Sequence, residues 1–163
     1  MTNRHQGQGR VLRSTVVFAA AVASLLTASV ALAGTKTVVV NDKDSIPHCR
    51  DIDKVRANAG RKTTTFTITM AANVKAAPCR GKNAPNIILN QRCNVSGSPA
   101  HASMACEGGG GGAAKISINS ADDHQWIVKF ATKEAELSGT TSFKFQVSVG
   151  TADSAGPATV KIG

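Results

Sequence analysis

Apolar and polar residues alternate with period two along most of the chain, the pattern of strands with one buried and one solvated face. In residues 63–70, Phe66, Ile68 and Met70 share one face, and Thr65, Thr67 and Thr69 share the other. β-Branched threonine suits such a pleated, solvated surface. Residues 142–150 repeat the pattern, with Phe143, Phe145, Val147 and Val149 opposite Ser142, Lys144, Gln146 and Ser148. Trp126, Val128 and Phe130 alternate with Ile127, Lys129 and Ala131. Ile116 and Ile118 alternate with Lys115, Ser117 and Asn119, and Val160 and Ile162 flank Lys161. The runs 38–40 and 87–89 are continuously apolar, which predicts inner strands. In residues 51–58 the apolar Ile52 and Val55 are out of phase, which predicts a bulged strand or a turn feeding one. Ala59-Gly60-Arg61 then reads as a hairpin connection into the Thr-rich strand. Residues 108–112 form a glycine turn too short to separate domains, and residues 133–137 have room for one helical turn. With no long helix and no internal repeat, the expectation is all-β: a single antiparallel β-sandwich of about nine strands.

The first 33 residues break this pattern. A polar stretch carrying Arg4, Arg10 and Arg13 precedes an apolar run from Val16 to Leu32, and Ala31-Leu32-Ala33 supplies a small-x-small exit. These are the three parts of a secretory signal peptide, so residues 1–33 are expected to be the leader and residues 34–163 the β-sandwich domain. The competing reading is an uncleaved anchor. The run falls short of the roughly 20 apolar residues a spanning helix needs, and Ser24, Thr27 and Ser29 dilute it. No Cys follows the exit and no Arg pair precedes the run, so neither lipoprotein nor twin-arginine export is indicated. The expected location is secreted, periplasmic or at the cell envelope, with no transmembrane segment in the mature chain.

Export changes the reading of the four cysteines, Cys49, Cys79, Cys93 and Cys106. An even count behind a leader reads as two disulfides. A zinc site lacks the close Cys spacing that such sites use. A hairpin closing at Gly60 brings Cys49 and Cys79 to its open end, so Cys49–Cys79 is the preferred bridge. That leaves Cys93–Cys106, closing a Ser-, Gly- and Pro-rich loop. A tight turn about Gly97 would set this second pair at different heights, so the alternative Cys79–Cys93 stays open.

The formal charge is +9, and the leader's three arginines account for only part of it. A basic mature surface admits anionic polymers as partners, although no specific nucleic-acid motif is present. Lys115, Lys129, Lys144 and Lys161 each lie opposite the apolar face of their strand. If some of these strands neighbour one another, about 4.8 Å apart, their lysines would form a basic row able to hold an anionic envelope polymer. The competing role for them is protection of strands against edge pairing.

Asp42, Asp44, Asp51 and Asp53 cluster beside Asn41 and Ser45, the kind of oxygen-rich loop that calcium requires. They lack the spacing of an EF-hand, and Lys43, Arg50 and Lys54 offer a competing role as surface ion pairs. No other cofactor is indicated. Nor is an enzyme: there is no Gly-x-Ser-x-Gly elbow, no phosphate loop after the glycine run, and no partnered histidine among His48, His101 and His124.

Residues 126–130, Glu136-Leu137-Ser138-Gly139 and residues 142–149 resemble the closing strands of DOMON-like β-sandwiches, a group that includes family-nine-type carbohydrate-binding modules. Asp51-Ile52-Asp53-Lys54-Val55 and the Thr-rich strand resemble their opening hairpin. The resemblance implies the sandwich fold and a sugar or haem ligand, with structural calcium in some members. The chain departs from the sugar binders in having one Trp and no Tyr, hence no aromatic clamp, and it has no Met/His pair suited to haem. It is also similar, more distantly, to neocarzinostatin-type exported sandwiches, whose cysteines close shorter loops.

These observations favour an exported, non-catalytic binding module for carbohydrate or an anionic envelope polymer. The alternative is a structural or interaction protein of the cell surface. N-terminal sequencing of the exported protein is expected to begin at Gly34. An intact Met1 on membrane-bound protein would establish the anchor instead.

Overall fold

The computed structural model describes residues 36–42, 48–81, 84–151 and 153–163. Residues 1–33, where the leader is expected, and Asp44 lie outside them. The described chain forms ten strands: β1 (Lys36–Asn41), β2 (Ile52–Ala59), β3 (Thr63–Met70), β4 (Asn86–Leu89), β5 (Cys93–Ser98), β6 (His101–Cys106), β7 (Gly111–Asn119), β8 (Asp122–Ala131), β9 (Ser142–Val149) and β10 (Asp153–Lys161). A single 3₁₀ turn, His48–Arg50, precedes β2. The all-β expectation holds, with one strand more than the sequence pattern suggested.

Every strand pairs antiparallel, in the order β1-β2-β3-β8-β7-β6-β5-β4-β9-β10. The sheet curls into two facing walls and nearly closes. β7 is the corner: its first residues pair with β6 and its later ones with β8. At the other side β10 packs along β1 and β2. The Ile52 N–H donates to Asp153 Oδ2 at 2.6 Å, and the Gly163 N–H donates to the Ala59 carbonyl at 3.0 Å. These bonds tie both ends of β2 to the β10 segment, so the two end strands of the sheet cover each other's edges.

The alternation read from sequence fills the space between the walls. Phe66, Ile68 and Met70 of β3, Val128 and Phe130 of β8, and Phe143, Phe145, Val147 and Val149 of β9 are buried. Phe66 stacks on Phe130 at 6.1 Å and meets Phe145 edge-on at 5.0 Å, joining one wall to the other. The buried Thr64 is satisfied by a 3.0 Å hydroxyl contact with Thr132, whose own hydroxyl donates to the Gly60 carbonyl at 2.6 Å.

Both preferred disulfides are present, Cys49–Cys79 and Cys93–Cys106. The second needs a correction to its derivation. β5 and β6 form a hairpin that the alternation did not reveal, and it turns at Pro99-Ala100 rather than at Gly97. Moving the turn places Cys93 directly opposite Cys106, so no height mismatch arises. Gly97 lies inside β5 at φ +128°, where a Cβ would collide with the His101 carbonyl oxygen.

Other expectations are refined. β2 is the bulged strand, with its register shift between Ile52 and Lys54, and Gly60 lies in the β2–β3 hairpin. Residues 87–89 lie in an inner strand between β5 and β9. Residues 38–40, by contrast, lie in β1 at the end of the sheet, where Val39 is 44% exposed. Residues 133–136 form turns rather than a helical turn, because Ala135 and Leu137 turn into the core and Glu136 adopts φ 54°.

Phe66→Ala is expected to cost about 3–5 kcal/mol, because it empties the junction between the walls. Guanidinium unfolding at fixed pH measures this, and a loss near 1 kcal/mol would show that the core collapses around the gap.

Candidate functional site

The bulge at the start of β2 sets the phase of the rest of that strand. Val55, Ala57 and Ala59 turn inward, leaving Lys54 and Arg56 exposed on the outer surface. β3 lies beside it and presents Thr65, Thr67 and Thr69 outward. Register then carries the face onward in rows. Asn58 pairs with Thr65, Thr65 with Lys129, and Lys129 with Lys115. In the next row Val39 pairs with Arg56, Arg56 with Thr67, Thr67 with Ile127, and Ile127 with Ser117. Lys54, Thr69 and Gln125 form a third.

Lys115 and Lys129 are thus direct cross-strand neighbours, both exposed. The Thr column of β3 separates them from Lys54 and Arg56. At about 4.8 Å per strand, all four cations act within one or two Debye lengths of about 8–10 Å. None of the paired outward positions from Lys54 to Lys129 carries Asp or Glu. The result is a pleated face of hydroxyls with cations on both sides and no opposing charge between them.

Strand order divides the four lysines between the two walls: Lys115 and Lys129 are neighbours on paired strands, and Lys144 and Lys161 lie on another pair. β9 does not continue next to β8; the chain crosses to the other wall after Thr132, and β9 pairs with β4 and β10. Lys144 lies opposite Thr159 and Lys161 opposite Ser142, on the outer surface of that second wall. Lys115 and Lys129 therefore share a face with Lys54 and Arg56 instead. The inward run Val55, Ala57, Ala59 is the signal that marks Lys54 and Arg56 as outward, once the bulge is allowed for.

The aspartates occupy different settings. The Asp42 N–H donates to the Asp53 carbonyl at 3.1 Å, Asp51 is buried just ahead of β2, and Asp53 is exposed on it. Asp44 lies outside the described residues. Among the described residues no group of three or more His, Cys, Asp or Glu gathers as a metal would require.

The glycine run has a role that its composition did not disclose. Gly111 and Gly112 belong to β7, and the 133–136 turns pack on the run. A Cβ on Gly110 would meet the Glu136 carboxylate, and one on Gly112 the Glu134 carboxylate. Arg92 pairs with Glu136 at 3.6 Å. The run is a seat for the connection that carries the chain across to β9.

Trp126 faces inward, as its phase with Val128 predicts, and is 4% exposed. Among the described residues its Nε1–H has no acceptor. It therefore adds nothing to the outer face.

No protein-family model, curated protein or solved structure matches the chain.

Lys115→Glu is expected to stabilise the fold by about 0.2–1 kcal/mol, since it converts a like-charge cross-strand pair into an opposite one. Urea unfolding is expected to show the gain at low salt and its decline at high salt.

Proposed function

We propose that this chain is an exported, non-catalytic binding protein whose Thr-rich basic face holds an anionic envelope polymer. The observation that carries this reading is the placement of Lys54, Arg56, Lys115 and Lys129 about one continuous outward surface, with no carboxylate at its paired positions. A repeating polyanion matches such a surface because many weak, screened contacts add along its length. Hydroxyls between the cations offer hydrogen bonds to phosphate, sulfate or carboxylate oxygens. An anionic polymer suits the face better than a neutral sugar. Neutral rings need an exposed aromatic platform, and the chain's one Trp is buried while Tyr is absent. Two disulfides accord with an oxidising compartment, and the leader read from the sequence supplies the route there.

Heparin serves as the test polyanion. The protein is expected to bind it at low salt and to release it as salt rises. Lys115→Gln with Lys129→Gln is expected to lower the eluting salt clearly. Lys144→Gln with Lys161→Gln removes the same charge from the other wall and is expected to change it little. Equal losses in the two pairs would reduce the effect to net charge and overturn the site. No binding by the parent would overturn the function.

A further inference from the structure

The inward side of the same wall carries a second feature. At one end of the fold, the β3–β4 connection, the β5–β6 turn and the inner faces of β7 and β8 surround a half-enclosed cleft of about 420 Å³. Val74, Ile118, Trp126, Ala84 and Pro99 supply an apolar lining. Lys75 and Arg80 supply the cations.

The walls are held in place by the fold rather than by a ligand. The Val74 N–H donates to the Asp123 carbonyl at 2.9 Å, fixing the β3–β4 connection to β8. The Cys49–Cys79 bridge fixes the same connection one residue before Arg80. Val74 and Trp126 are buried and Ile118 half-buried, so the lining is a set of packed side chains. The two cations differ. Lys75 Nζ lies 2.5 Å from Asp123 Oδ1 and is neutralised by it. Arg80 is exposed and forms no ion pair among the described residues.

A volume of this size falls in the range of about 300–1,000 Å³ typical of small-molecule sites, and mouths of β-barrels are a common place for them. An apolar lining with one guanidinium that no described residue pairs selects a ligand with an apolar body and one anionic end. We propose that the cleft binds a free, small anionic amphiphile. Its alkyl or aromatic body lies against Val74, Ile118 and Trp126, and its carboxylate or sulfonate meets Arg80. The site is independent of the polymer-binding face, which uses the outward side chains of β7 and β8.

Trp126 is the only Trp in the chain, so its emission reports on this cleft alone. Decanoate, kept below its micelle-forming concentration, is expected to change Trp126 emission saturably in the disulfide-intact protein. Arg80→Gln, at an exposed position, is expected to weaken decanoate about fivefold, as loss of one surface charge pair does, and to leave decanol binding unchanged. Ala84→Phe fills the lining and is expected to weaken both ligands about tenfold, equivalent to removing contact with about two methylenes. Lack of a saturable change in the parent overturns the proposal. So does equal affinity for decanol and decanoate, or an unaltered decanoate affinity in Arg80→Gln. A response confined to phosphatidylglycerol vesicles also overturns it, because the end of the fold would then meet a lipid surface rather than a free ligand.

Discussion

Phe66 is the contact on which both walls depend. It packs on Phe130 within its own wall and reaches Phe145 edge-on at 5.0 Å across the core. Aromatic pairs of this geometry add about 0.5–1.5 kcal/mol to the burial of their area. Around it Ile68, Val128, Phe143 and Val147 are fully or almost fully buried. A sheet with one apolar face has to cover that face, and this one covers it with itself. Curling also brings β10 along β1 and β2, so the strands at the ends of the sheet shield one another.

The same curl distributes the chemistry. Residues that alternate with the core end up on two outer surfaces, and strand order decides which cations share one. β7 and β8 form a hairpin and keep Lys115 beside Lys129. β3 then brings in β2 with Lys54 and Arg56. The crossing after β8 sends Lys144 and Lys161 to the opposite wall. That crossing is secured by polar and steric detail. Thr132 bonds Thr64 and Gly60, Leu137 is buried, and two glutamates seat over the glycine run where larger residues would not fit.

One wall therefore carries two surfaces of opposite character. Its outer side offers hydroxyls and cations, the surface for which polyanion binding is proposed. Its inner side ends at the cleft beside Trp126, whose apolar lining and Arg80 carry the proposal of a small anionic amphiphile. Both surfaces follow from the period of two that places successive side chains on opposite sides of a strand.

Period-two alternation was legible in the sequence because burial on one face imposes it locally; it marked β3, β8 and β9 and the inward placement of Trp126. The pairing of Cys49 with Cys79 was legible too, since a hairpin at Gly60 brings its own flanks together. The β5–β6 hairpin was hidden, because Ser, Gly and Ala dominate it and only Cys93, Val95 and Met104 are buried on its inner face. The partition of the lysines was likewise absent from the sequence. Alternation states which way a side chain points relative to its own strand, whereas sharing a face depends on which strands pair. That is settled by long-range closure of the sheet around Phe66, by the bulge at Ile52 and by the crossing at Thr132. The apolar cleft arises in the same way, from segments far apart in sequence that meet only when the sheet has curled.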